Sequence, residues 1–166
     1  MKLSENFIRK KSDLVFYKNN FLSNEECNYW INRAPKLGKG NFNWDKKTVD
    51  ITKEDIVNKV VNFFKENLNL NLSIQQAQIQ NWNVGSWSGL HTHDSGIRNC
   101  TKYNSLIYLN DDFEGGEFFT KNGIVIKPEK GKLTLFNGLK IHHGVKTVHK
   151  KDRITLIFWW YKNEVE

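Results

Sequence analysis

Cysteine and proline are both rare in this chain. Of its 166 residues only Cys27 and Cys100 carry a thiol, and only Pro35 and Pro128 are proline. Two cysteines so far apart make neither a disulfide framework nor a zinc knuckle. The fold must therefore rest on an apolar core, which a single domain of this length can supply. Long hydrophobic runs are absent as well: none reaches the length of a membrane span, and the opening MKLSENFIRKK has no apolar signal core. The expectation is a cytoplasmic chain without a membrane segment. There is no internal repeat, low-complexity tract or linker, which points to one domain over 1–166. No Arg/Lys-rich block with interleaved aromatics occurs, so a nucleic-acid partner is not indicated. The net charge of +7 fits either a solvated lysine-rich surface or attraction to an acidic partner. No Ser/His/Asp or paired-carboxylate catalytic array can be singled out.

Aromatic residues, by contrast, are plentiful, with 6 Trp and 11 Phe to fill a core. The first third reads mainly helical. Leu14 to Tyr17 is a short strand. Ser23 then precedes Glu25 and Glu26, an N-cap with acids in the first turn of a helix that continues through Cys27, Trp30 and Ile31. Gly38 to Phe42 is a loop. Thr52 opens a second helix from Lys53 to about Asn67, with Ile56, Val60, Phe63 and Phe64 on one face. From Ile74 onward the pattern becomes β, with short runs at 74–82, 105–109, 116–120, 123–126, 132–136 and 153–161. A helical part over about 1–70 followed by a β core over about 74–161 predicts a mainly β fold. Its form would be a double-stranded β-helix (a cupin-like jelly roll) with the N-terminal helices packed outside.

The five histidines lie at 91, 93, 142, 143 and 149. In His91-Thr92-His93-Asp94 two of them flank one residue, and on a strand positions i and i+2 share a face. Imidazole suits Fe, Zn, Cu and Ni, and a carboxylate would add a hard anionic ligand. Two ligands here and one about fifty residues later leave open metal positions, unlike a closed structural zinc site. Ten residues after His143 comes Arg153, and Thr155 follows on the same strand face. A guanidinium recessed in a strand core needs an anion, and a ligand carboxylate held in bidentate fashion would serve.

Read in order, residues from about 78 to 161 resemble the 2-oxoglutarate/Fe(II) dioxygenase superfamily, and within it the prolyl 4-hydroxylase-like group. Trp82-Asn83-Val84-Gly85, six residues before His91, is similar to the lead-in to the first iron ligand. Ser105 to Glu117 resembles the strand and Gly-Gly turn of these enzymes, and Pro128 to Phe136 their Pro-x-x-Gly-x-x-x-x-Phe strand. His143-Gly144-Val145, Arg153 and Trp159 close the pattern, and Phe16 to Cys27 resembles the group's opening.

The resemblance implies that His91 and His143 bind Fe(II), with His93 or Asp94 as the remaining ligand. His93 keeps the two-residue strand period. Asp94 needs a one-residue bulge but would provide the carboxylate that the family usually has. Arg153 would pair with the distal carboxylate of 2-oxoglutarate, assisted by Tyr108 and Thr155, with Trp159 beside the metal pocket. Trp82, Trp87 and the loop from Asp94 to Lys102 are expected around the substrate. The implied reaction consumes 2-oxoglutarate and O₂, releases succinate and CO₂, and hydroxylates a prolyl residue in a peptide or protein, with ascorbate as a candidate reductant. The alternatives are an oxygenase acting on nucleic acid or a free amino acid, and a non-catalytic metal-binding jelly-roll module.

Overall fold

The N-terminal third supplies more strand than its helical periodicity predicts. In the computed structural model, which describes residues 7–10, 13–36, 46–93 and 102–163, it contributes β1 (Phe7–Lys10), β2 (Asp13–Lys18) and β3 (Lys46–Asp50). The expected loop from Gly38 to Phe42 lies outside the described residues. Helix α1 (Asn24–Arg33) starts as its sequence predicts. Ser23 accepts from the Glu26 backbone N–H, and Glu26 accepts in return from that of Ser23, a reciprocal capping box. Helix α2 (Asp55–Leu68) does not start at Thr52; Glu54 is its N-cap, without a side-chain bond. The Thr52 hydroxyl is engaged elsewhere, accepting from the backbone N–H of Ala77 at 3.0 Å. It ties the helix lead-in to the sheet. Among the described residues no helix is long and apolar enough to cross a membrane.

The rest of the described chain is β: β4 (Leu72–Trp82), β5 (Ser88–His91), β6 (Tyr103–Tyr108), β7 (Glu114–Gly115), β8 (Phe118–Thr120), β9 (Val125–Ile126), β10 (Leu133–Phe136), β11 (His143–Val145), β12 (Val148–His149) and β13 (Arg153–Lys162). The larger sheet runs β1-β2-β10-β6-β13-β4-β3, the smaller β5-β11-β8-β9, and every pairing is antiparallel. This is the jelly-roll arrangement that the sequence predicts, with helices outside the larger sheet.

The larger sheet is covered on both faces, so its central strands read as continuous apolar runs rather than as polar–apolar alternation. Leu156, Phe158 and Trp160 of β13 join Ile107, Leu135, Val60 and Phe64 in the core beneath the helices. The Trp160 and Phe64 rings meet edge to face at 6.1 Å. The intervening residues Arg153, Thr155, Ile157 and Trp159 face the space between the sheets. Leu106, Tyr108, Phe118 and Phe136 form a second core there. A bulge breaks the β13–β4 register: Trp159 lies opposite Gln76 and Trp160 opposite Ile74, which leaves Gln75 as the extra residue. Gln75 and Gln76 consequently both reach the inter-sheet cleft.

Candidate metal and co-substrate site

His91 ends β5 and His143 begins β11, and antiparallel pairing puts the two directly opposite each other. A cross-strand pair, not two positions of one strand, is therefore the base of the cluster. His93 lies beyond the end of β5, so the two-residue strand period is not what places it. Its backbone N–H donates to the carbonyl of Gly138 at 2.8 Å, and its Nδ1 lies 2.8 Å from Asn104 Oδ1. The ring centroids are 4.4 Å (His91–His143), 4.8 Å (His93–His143) and 5.3 Å (His91–His93) apart. One ligand atom from each of the three lies within 4.8 Å of the others, a grouping that could hold a metal ion.

The hydrogen bonds fix the tautomers. Nδ1 of His91 lies 2.8 Å from the Gly89 carbonyl and Nδ1 of His143 lies 2.8 Å from that of Ile141. A carbonyl only accepts, so each Nδ1 donates and each Nε2 carries the lone pair that a metal takes. His143 is buried, and burial above all pushes its pKa down to about 3, against the Ile141 hydrogen bond that favours the charged form. It is a neutral imidazole at pH 7, as a ligand must be. His142 and His149 are exposed and outside the cluster.

Arg153 opens β13 opposite Trp82 and is only 2% exposed. Its Nε donates to the Gly116 carbonyl at 2.9 Å, and its guanidinium carbon lies 5.4 Å from the Trp82 ring centre. Among the described residues no carboxylate forms an ion pair with it. Burial pulls its pKa down, opposed by Tyr108. Gly116 (φ +64°) is what lets the arginine stem pass, since a Cβ there would stand 2.9 Å from Arg153 Cδ. Thr155, also buried, lies across from Tyr108, whose hydroxyl accepts from the Phe118 N–H at 3.4 Å.

A cleft of about 1270 Å³ between the sheets joins these groups, with His91, His93, His143, Arg153, Thr155 and Trp159 on its walls and Trp82 beside them. Trp87 does not line it; 41% exposed, it borders a separate shallow hollow with Phe119 and His149. Asp94 and the loop over 94–101 lie outside the described residues. Sequence reasoning missed Asn104, Gly138 and the amides Gln75, Gln76 and Gln80 on the cleft wall. Asn104 had one signal: it shares a strand face with Leu106 and Tyr108.

A profile of the 2OG-Fe(II) oxygenase superfamily matches residues 77–161, about half of the chain and all of this site. The chain belongs to that superfamily. Human prolyl 3-hydroxylase 2 is 43% identical over 65 residues, covering 35% of this chain but only 9% of that relative. The chain thus matches a small part of a much longer protein. Among solved structures, the viral collagen prolyl hydroxylase of Paramecium Bursaria Chlorella virus-1, in its 2OG complex, superposes with a TM-score of 0.70 at 19% identity, covering 90% of this chain and 96% of that one. A Trichoplax adhaerens prolyl hydroxylase, in complex with a peptide fragment of the hypoxia inducible factor oxygen degradation domain, gives 0.64 at 17% identity over 96% and 86% of the two chains. Membership in this superfamily implies Fe(II) and 2-oxoglutarate, and the three imidazoles are a donor set that fits such a metal.

Proposed function

We propose that His91, His93 and His143 hold Fe(II), that Arg153 anchors the distal carboxylate of 2-oxoglutarate, and that the substrate is a prolyl residue in a peptide or protein. The observation that carries this reading is the buried Arg153, without a carboxylate partner among the described residues, on the wall of the cleft that holds the histidine cluster. A cation there without an anion is costly, and a dicarboxylate chelating the metal would bring one. Thr155 on the cleft wall, and Tyr108, whose ring centre lies 5.2 Å from the guanidinium carbon but which does not line the cleft, would assist with their hydroxyls. Fe(II) held by these residues would supply activation of O₂, which is the oxidant: one oxygen atom would enter succinate as 2-oxoglutarate loses CO₂, and the other would enter the substrate C–H bond. The protein's own part is placement and exclusion of water. His143 stays neutral, the carbonyls of Gly89 and Ile141 hold two imidazoles in register, and Trp82 and Trp159 wall the pocket. Ascorbate would serve as reductant between cycles.

The prolyl assignment is supported by the relatives, which are named prolyl hydroxylases, one of them in complex with a peptide fragment. The test is anaerobic addition of Fe(II) followed by titration with 2-oxoglutarate. The visible charge-transfer band of the chelate should appear, and air should then yield succinate faster with proline-containing peptides than with free proline or single-stranded DNA. Absence of both band and succinate would sink the enzyme. Succinate coupled only to free proline or to DNA would move the substrate class. Loss of iron in Asp94→Ala but not in His93→Ala would exchange the third ligand.

A further inference from the structure

We infer that Asn104 is the positioning residue that makes His93 a metal ligand, so that the ion is held by three neutral imidazoles. The inference rests on reading the histidine cluster as the metal site. Asn104 is fully buried in β6, with Phe136 of β10 and Trp159 of β13 as its cross-strand partners. An amide in such surroundings is costly to desolvate unless it is hydrogen-bonded. Its Nδ2 has no partner among the described residues. The bond it does make is one that Oδ1 accepts from His93 Nδ1, at 2.8 Å.

The direction of that bond decides what His93 can do. A neutral imidazole has one donor nitrogen and one acceptor nitrogen. With Oδ1 facing it, Nδ1 keeps the hydrogen and Nε2 keeps the lone pair. With the amide turned over, an N–H would occupy the Nδ1 lone pair, and Nε2 would carry the hydrogen and could not ligate. His91 and His143 take the productive tautomer from backbone carbonyls, which cannot turn over. His93 alone depends on a side chain for it.

Gly138 makes the same point from the opposite direction. Its carbonyl receives the His93 N–H, and a Cβ built on it would lie 2.2 Å from Asn104 Oδ1 and 2.8 Å from His93 Nδ1. A side chain at 138 has no room while the Asn104–His93 bond stands. Two separate segments, the β6 strand and the turn before His143, thus converge on one ring that the β5 strand itself does not reach.

The experiment titrates the metal-free protein with Co(II) alone, read by visible absorption and chelator competition. Asn104→Leu, similar in size but without an acceptor, should weaken Co(II) about 10–100-fold. Asn104→Asp, which keeps the acceptor, should bind as the wild type does, and Gly138→Ala should reproduce the loss. Nitrogen-15 spectra of the His93 ring should show an unprotonated Nε2 in the wild type and a tautomer mixture in Asn104→Leu. Affinity in Asn104→Leu within about threefold of wild type, with unchanged ring shifts, would overturn the inference. If that variant does not fold, wild-type affinity in Gly138→Ala overturns it equally. A wild-type chain that gives no Co(II) band overturns instead the metal-site reading beneath it.

Discussion

The guanidinium carbon of Arg153 lies 5.2 Å from the centre of the Tyr108 ring, with Trp82 at 5.4 Å from the same carbon. Among the described residues, two aromatic rings and one backbone carbonyl, and no acidic side chain, are thus placed against this buried cation. That arrangement keeps the guanidinium charged and oriented while leaving its strongest demand, a carboxylate, for a ligand to meet.

Arg153→Met should therefore separate ligand binding from stability. Affinity for 2-oxoglutarate should fall by about 100-fold or more, since truncating one side of a buried charged pair costs about 2–5 kcal/mol. Co(II) affinity should stay near wild type. The ligand-free protein should melt higher, because an unmatched buried cation has been removed. Calorimetric titration and thermal melts read all three. Tyr108→Phe, which deletes only the hydroxyl, should weaken 2-oxoglutarate by about 3–10-fold.

Acidification should destabilise the metal-free protein well before its carboxylates titrate. The His143 imidazole titrates near 6.5 when unfolded and at about 3 when folded. Between those values the unfolded chain binds the extra proton, so stability is full above pH 6.5 and falls as pH is lowered. The loss by pH 5 should be about 2 kcal/mol. Glu26, where burial is outweighed by the bonds to Lys59 and the Ser23 backbone, and Asp112, held down by Lys151, have lowered pKa values and act in the same direction but only below the ordinary carboxylate range. Urea denaturation in the presence of a chelator at pH 7 and pH 5 checks the slope, and His143→Gln should flatten it.

Gly116→Ala should lose both stability and co-substrate affinity. The backbone there has φ +64°, and the new methyl would stand 2.8 Å from the Phe113 ring and 2.9 Å from Arg153 Cδ. The expected cost is about 1–3 kcal/mol. Displacement of the arginine should raise the KM for 2-oxoglutarate in the fraction that folds. An unchanged KM would show that the guanidinium tolerates the shift.

Ser105→Ala should act on stability alone. Trp160 donates its indole N–H to Ser105 Oγ at 2.8 Å, and both side chains are fully buried on the helix side of the sheet. Leaving that donor without a partner should cost about 1–3 kcal/mol. Co(II) and 2-oxoglutarate affinities should not change, because Asn104 and Leu106 on the opposite face keep their places.

Legibility differed by residue for physical reasons. His91, His143 and Arg153 could be read because each is fixed by a strand end and by its spacing to a neighbour. His93 does lie in the cluster, but the two-residue period is not what puts it there: the period ends with β5, and long-range bonds to Gly138 and Asn104 replace it. Strand β3, Lys-Lys-Thr-Val-Asp, carries little β signal of its own. It forms because the edge of β4 offers it five cross-strand partners from Gln78 to Trp82. Thr52 has the look of a helix cap, yet the Ala77 backbone competes for its hydroxyl and wins. Trp87 sits beside the site in sequence, but it precedes β5 and borders the separate shallow hollow instead of the cleft. Asn104 left almost no trace, since one buried amide in an apolar strand has no periodicity to reveal it.

The two-sided burial of β13 has a consequence for how this protein tolerates change. Its even-numbered positions, Leu156, Phe158 and Trp160, answer to the helices, and its odd-numbered ones, Arg153, Thr155 and Trp159, answer to the cleft. A saturation scan that scores cellular abundance and turnover separately should split along the strand in a two-residue rhythm, with abundance lost at one parity and turnover at the other. Substrate preference can then drift at odd positions without eroding the scaffold, as long as the bulge at Gln75 keeps the parity in step.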